Sequence, residues 1–353
     1  MTPLTDIVLA RLAAAQEGFL PFVDVMELAL YHPVHGYYGP APRRIGRTGD
    51  FFTSVSVGPL YGRLLATLAG RVRQEMGSPR DFALIEQGAH DGQLGADILM
   101  AADDFASYWI VEPNPAYQGV QRERLAAWGG RVNWVTSLAD LPPVPALYLC
   151  NELPDAMPVH LVRWSGRNWE EICVQRGEAG GLDLTPGPLS SPRLTAEVQR
   201  LPADLPPGYT TEVNLAALDW MGELAVAPFR GAVYIADYGL DAAELYSPER
   251  TTGTLRRYFD HRTDNNVLEN LGDSDLTTHV NFTRLIEAAE SAGLRLRTYE
   301  HQGRFLGKLG LEWLATLEGQ PPDAATQALL RQYQSLTHPA FMGRSFRVLM
   351  LDK

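Results

Sequence analysis

Apolar side chains recur at helical spacing in two stretches near the start of the chain. Ile7, Leu9, Leu12 and Ala13 mark 5–17, and Val23, Met26 and Leu30 mark Phe22–Leu30, which follows Pro21. Steps of three and four residues predict amphipathic helices there, and a third over Tyr61–Met76. The texture then changes to short continuous apolar runs at Phe82–Gln87, Tyr108–Val111, Val132–Val135, Val144–Cys150 and Gly231–Ala236. Runs that are apolar on both faces suit strands of a parallel sheet covered by helices. Between them Leu94, Ile98 and Leu99, and then Tyr117–Trp128, return to helical spacing. This alternation predicts an α/β fold with a doubly wound, Rossmann-like sheet. Late in the chain it predicts a helix at Phe282–Ala292, helices at 311–317 and 323–335, and last strands at 294–299 and 346–351.

One segment breaks the alternation. His160, Val162 and Trp164, then Trp169, Ile172 and Val174, alternate with polar residues about a Ser165-Gly166 turn, which predicts a β-hairpin. Gly177–Pro207 is rich in Pro and Gly and reads as loop, and Glu212–Leu224 reads as helix. The predicted organisation is therefore an N-terminal helical and loop region at 1–58, and one domain at 59–353 carrying a substrate-facing insertion at about 159–210.

The chemistry-bearing stretch is Phe82–Ala102. A buried strand ends at Gln87, Gly88, Gly92 and Gly95 punctuate a turn, and a helix follows. Strand, glycine turn and helix open a nucleotide-binding unit, because glycine lets backbone approach a ligand and a helix N-terminus offers unpaired N–H groups. Glu112 closes the second strand, where an acid would hold a ribose diol. A dinucleotide fingerprint is not matched, since His90 and Gln93 occupy two of its glycine positions. The acid in Glu86-x-Gly88 suits a ligand with an amino group and points to S-adenosyl-L-methionine; an ordinary turn with helpful glycines explains the stretch equally well. Asn151-Glu-Leu-Pro-Asp-Ala-Met-Pro158 follows the fourth strand at the carboxyl edge that faces the ligand crevice. Glu152 and Asp155 are either reactive groups or acids capping the next helix. Tyr31–Gly39 and Arg43–Ser54 are too rich in Gly, Pro and Tyr for regular structure. They read as a packed surface loop or as a lid with Gly49 and Thr53 near the ligand.

Composition narrows the partners. A chain of 353 residues with 45% hydrophobic and 20% charged residues buries a sizeable core. Its net charge of −12 argues against nucleic acid as the main partner and suits a basic polypeptide. Cys150 and Cys173, the only cysteines, lack metal-ligand spacing, so no zinc site or disulfide framework is expected. No run approaches the ~18 apolar residues of a membrane span. The first residues lack the features of a secretion signal, and a cytoplasmic location is expected.

Taken in order, Tyr31-His-Pro, Gly49-Asp-Phe-Phe-Thr-Ser54, Glu86-x-Gly88, Asn151-Glu-Leu-Pro-Asp-Ala156, Asp237-Tyr-Gly239, Gly253-Thr-Leu255, Asp275-Leu-Thr-Thr-His-Val280 and Met342-Gly-Arg344 resemble the MidA family of class I methyltransferases. Mitochondrial members of that family methylate an arginine during complex I assembly. The resemblance implies S-adenosyl-L-methionine as cofactor and a protein arginine as acceptor. It implies that Glu86, Gly88, His90, Gly92 and Leu94 surround the cofactor's amino-acid end and that Glu112 and Pro113 meet its ribose. Ser137 and Leu138 would lie by the adenine, with Gly49, Phe51, Thr53 and Asn151 completing the shell. Glu152 and Asp155 would grip the guanidinium, and Tyr238 and His279 would supply wall or hydrogen-bonding groups. Two residues depart from the family pattern: His90 stands where a glycine is usual, and Asn281 where an aspartate is common. His90 keeps open a catalytically silent assembly or interaction factor on the same fold, and a small-molecule methyltransferase is the third reading. A homodimer is among the assemblies open to it, and NAD, ATP and zinc are not expected to bind.

Overall fold

The computed structural model describes residues 1–40, 53–102, 104–319 and 323–353. Chain contacts divide it into two compact units. One comprises Arg44–Leu153, Met221–Gly239 and Ile286–Lys353, and the other Met1–Arg43, Pro154–Trp220 and Leu240–Leu285.

Seven strands of the first unit form one hydrogen-bonded path. Its strands in chain order are β1 (Ala83–Gln87), β2 (Ser107–Val111), β3 (Val132–Val135), β4 (Pro145–Asn151), β5 (Arg230–Leu240), β6 (Arg295–His301) and β7 (Phe346–Asp352). They lie in the order β3-β2-β1-β4-β5-β7-β6. β1 to β5 are parallel, and β7 runs antiparallel to both of its neighbours. The order reverses between β1 and β4, and a doubly wound sheet opens its ligand crevice outside the carboxyl ends of the strands at such a point. The central strands are buried almost throughout; Leu84, Leu147 and Tyr234 are fully enclosed in one core with Leu64, Leu68, Leu94 and Ile98 of helices Leu60–Glu75 and Gln93–Ala101. Helix Leu60–Glu75 packs on helix Gln93–Ala101 so closely that a Cβ on Gly62 would lie 2.5 Å from the Asp97 Cβ.

The second unit carries helices Pro3–Ala14 and Phe22–Tyr31 and two antiparallel sheets. In the larger, Trp169–Arg176 pairs with Phe19–Pro21, His160–Trp164 and Leu182–Gly187, and His160–Trp164 pairs with Thr210–Val213. The smaller joins Arg256–Phe259 to Arg262–Asp264 and Asp275–Thr277. The predicted hairpin is present as His160–Trp164 and Trp169–Arg176. The stretch expected as loop contains a strand, Leu182–Gly187, and a helix, Pro192–Val198, opened by the Ser191 side chain. Proline at the first helical position needs no donor, so Pro192 starts a helix inside a stretch whose Pro and Gly content reads as loop. The helix expected at Glu212–Leu224 begins at Leu215, and the β-branched Thr210–Val213 ahead of it is strand. No helix among the described residues is long and apolar enough to cross a membrane.

Candidate active site

The turn after β1 is held open by backbone conformation. Gly88 (φ 78°) and Gly92 (φ 83°) occupy the left-handed region, as does His90 (φ 46°), where a side chain costs roughly 1 kcal/mol or more. Neighbouring groups hold that strained residue in place. The His90 carbonyl accepts Gln121 Nε2–H at 2.9 Å, and its ring stands edge-on to Tyr117. Asp91 accepts the first helical N–H, from Gln93, and is itself bound by Arg124 at 2.6 Å.

Glu112 lies at the end of β2, buried, with its own N–H on the Val135 carbonyl. Its Oε1 accepts Asn114 N–H at 2.8 Å and its Oε2 accepts Gln121 Nε2–H at 3.3 Å. Burial pushes its carboxyl above the ordinary range, against those two hydrogen bonds. Gln121 thus joins the glycine turn to the acid of the second strand, and Trp134 Nε1 donates to its Oε1 at 3.0 Å. Glu86 is more enclosed than a ligand contact on the crevice rim: Tyr108 donates to Oε2 at 2.7 Å, and a Cβ on Gly95 would meet the same oxygen at 3.3 Å. Burial raises its carboxyl to about 7. Leu94 lies in the hydrophobic core, Pro113 and Ser137 are exposed, and Leu138 is buried behind Ser137, whose hydroxyl is on Asp140. Thr53 is buried and bonded to Ser56, whereas Gly49 and Phe51 lie outside the described residues.

Across the reversal point, β4 ends at Asn151. Glu152 follows with a left-handed φ of 54° and its N–H on the Ala236 carbonyl of β5. Its Oε1 accepts Asn151 Nδ2–H at 2.8 Å and Ser54 N–H at 3.4 Å. Tyr61 donates to Asn151 Oδ1 at 2.8 Å and is bonded to Tyr234 at 3.1 Å. Tyr238, half-buried on β5, packs its ring on Phe346 with centroids 3.9 Å apart.

The remaining expected residues belong to the second unit. Asp155 is buried, and burial together with the Asp275 carboxylate lifts it to about 7. Tyr38 donates to both Asp275 oxygens at 3.0 Å, Thr278 N–H bonds the Asp155 carbonyl, and Tyr31 donates to the Ala156 carbonyl. The Tyr31-to-Tyr38 stretch, Asp155 and the Asp275-to-Val280 stretch therefore form one network within this unit. His279 is exposed and donates its backbone N–H to Thr254 Oγ1 at 2.9 Å. Thr254 and Leu255 give their N–H groups to the buried carboxylate of Glu212 at 2.6 and 2.8 Å. Gly253 (φ 65°) leaves room for that carboxylate, since a Cβ there would lie 2.2 Å from Glu212 Oε1. Gly253-Thr-Leu255 is thus a latch on Glu212. Asn281 accepts Arg284 N–H and donates to Tyr246, so it caps the helix that follows.

Gln121, Tyr61, Tyr234 and Glu212 escaped the sequence reading. Each falls inside a predicted helix or strand, where a polar residue reads as surface and a tyrosine as core. A glutamine on the strand-facing side of 117–128 was the one available signal.

These features can be set beside known proteins. A family model for S-adenosyl-L-methionine-dependent methyltransferases matches residues 64–300. Protein arginine methyltransferase NDUFAF7 homolog, mitochondrial, of Drosophila melanogaster is 29% identical over 95% of this chain and 82% of that protein. Protein arginine methyltransferase NDUFAF7, mitochondrial, of Mus musculus is 28% identical over 95% of this chain and 81% of its own. A crystal structure of a COG1565 superfamily member from Burkholderia thailandensis, bound to S-adenosyl-homocysteine, has a TM-score of 0.89 and 31% identity, covering 99% of this chain and 92% of that one. The cytoplasmic location expected from the first residues does not stand, because these curated relatives are named as mitochondrial proteins.

Proposed function

We propose that this chain, which belongs to the S-adenosyl-L-methionine-dependent methyltransferase family, methylates an arginine side chain of a protein. The observation that carries the reading is the placement of two groups at the reversal of strand order: the glycine turn on β1 and the Glu152 carboxylate on β4. The relatives named protein arginine methyltransferases support the acceptor class.

The residues present fit the cofactor. Each Glu112 oxygen accepts one hydrogen bond within the protein, and a carboxylate has about four acceptor sites, so capacity remains for the two hydroxyls of a ribose. Gly88 and Gly92 let backbone N–H groups approach an amino-acid carboxylate, and Ser137 and Leu138 after β3 would flank the base. When bound, S-adenosyl-L-methionine supplies a methyl group activated on a sulfonium. The protein's task is to align the acceptor nitrogen and exclude water. A guanidinium stays charged at neutral pH, so Glu152 would pair with it, orient one nitrogen and receive the proton that nitrogen sheds as it is alkylated.

The test is incubation with isotope-labelled S-adenosyl-L-methionine and protein from cells lacking the enzyme, followed by acid hydrolysis and mass spectrometry. Labelled methylarginine is expected. Label confined to another amino acid or to small molecules would overturn the acceptor assignment. S-adenosyl-homocysteine binding with no labelled product would favour the silent factor.

A further inference from the structure

Four side chains of the first unit form an ordered line of hydrogen bonds. Tyr61 and Tyr234 are fully buried, their hydroxyls are 3.1 Å apart, and burial raises both hydroxyls well above the ordinary tyrosine range, so each keeps its proton. Tyr61 donates that proton to Asn151 Oδ1 at 2.8 Å. Tyr234 must therefore be the donor between the two tyrosines, because each hydroxyl has one proton. With Oδ1 engaged, the Asn151 amide turns Nδ2 outward, and Nδ2 donates to Glu152 Oε1 at 2.8 Å. The opposite amide orientation would bring Oδ1 against a carboxylate oxygen, acceptor against acceptor. Ser54 N–H reaches the same Glu152 oxygen at 3.4 Å, and its hydroxyl is tied to fully buried Gln302 at 3.1 Å.

We infer that Tyr61 and Tyr234 are positioning residues, fixing the Asn151 amide so that it holds the Glu152 carboxylate in one direction as a carboxylate acceptor. The inference rests on the role proposed for Glu152. Every donor in the line points toward that carboxylate, and Glu152 is itself in a strained backbone conformation that needs outside support. Phenylalanine at 61 keeps the shape and removes the donor. The Asn151 amide then loses the anchor on Oδ1 and is free to swing, so the carboxylate it holds loses its fixed direction.

The test is a double-mutant cycle on Tyr61→Phe and Glu152→Gln. Its readout is the initial rate of tritium transfer from S-adenosyl-L-methionine to total protein from cells lacking the enzyme, with S-adenosyl-homocysteine affinity measured by calorimetry. Tyr61→Phe should lower the rate at saturating cofactor by roughly 5- to 30-fold, while the cofactor KM and S-adenosyl-homocysteine affinity stay within about threefold of wild type. In the Glu152→Gln background the same change should cost no more than about twofold, because its target is gone. Multiplying losses, or a parallel loss of S-adenosyl-homocysteine affinity, would overturn the inference and leave Tyr61 a packing or cofactor-shell residue. A wild-type rate in Glu152→Gln alone would overturn the role of Glu152, and is distinguishable because that variant is then silent by itself. Tyr234→Phe supplies a second variant should Tyr61→Phe fold poorly: a rate loss that vanishes in the Glu152→Gln background is expected, and an unchanged rate would contradict the line.

Discussion

Gln121 uses every polar atom of its amide inside the protein: Oε1 accepts from Trp134, and Nε2 donates to the His90 carbonyl and to Glu112. It therefore sets the distance between the turn after β1 and the acid after β2, and Glu112 arrives in the crevice already oriented. Replacing Glu112 with alanine should weaken S-adenosyl-L-methionine binding by roughly 1.5–3 kcal/mol, the scale of hydrogen bonds to a charged group, or about 10- to 150-fold in Kd. Titration calorimetry measures it, and wild-type affinity would remove Glu112 from the ribose. Glu86 contributes through pH instead. Its folded carboxyl titrates at about 7 against an ordinary 4.5, so the folded state holds the proton more tightly. The stability this gives is complete below pH 4.5 and is lost as pH rises through 7. Glu86→Gln does not titrate, so its stability relative to wild type should rise between pH 5 and pH 8, on the order of 1–3 kcal/mol. Asp155, also at about 7, is present in both proteins and cancels. Urea denaturation at the two pH values checks the sign, and a constant difference would contradict it.

At the scale of elements, the close helix pair is the sharpest constraint. With 2.5 Å between a Gly62 Cβ and Asp97 Cβ, Gly62→Val must push helix Leu60–Glu75 away from helix Gln93–Ala101. A destabilisation of about 1–3 kcal/mol is expected from such overpacking, read from the urea midpoint. An unchanged midpoint would show that the helices separate freely. Neither Gly62 nor Asp97 announces this contact in sequence, because a glycine within a helical pattern reads only as a weak position. The parallel strands were legible, since 83–85 and 145–150 are apolar on both faces, the texture of a strand covered on each side. The hairpin of Arg256–Phe259 with Arg262–Asp264 was not, because its strands carry arginine and aspartate and its two-residue turn, Asp260-His261, takes positive φ without a glycine to mark it. The site divides in the same way. Gly88, Glu112 and Glu152 stand out because each follows the last residue of a strand, and Gly92 because it opens the helix after β1. Tyr61, Tyr234 and Gln121 act from inside elements, where only three-dimensional contact gives them meaning.

Across the whole molecule, a net charge of −12 should draw a basic protein acceptor toward the enzyme. Raising ionic strength from about 0.1 M to about 1 M shortens the Debye length from ~10 to ~3 Å. The rate at subsaturating acceptor should then fall several-fold while S-adenosyl-homocysteine affinity changes little. A salt-independent rate would argue against electrostatic recruitment. The most direct measurement of the central claim is the single-turnover rate of methyl transfer to arginine in Glu152→Gln beside wild type, with S-adenosyl-homocysteine affinity determined on the same samples. The predicted result is a fall of ~10²-fold or more, the scale of losing one preorganised charged group, with cofactor affinity unchanged. A wild-type rate would contradict it, leaving Glu152 as a strand-end acid with no part in the transfer.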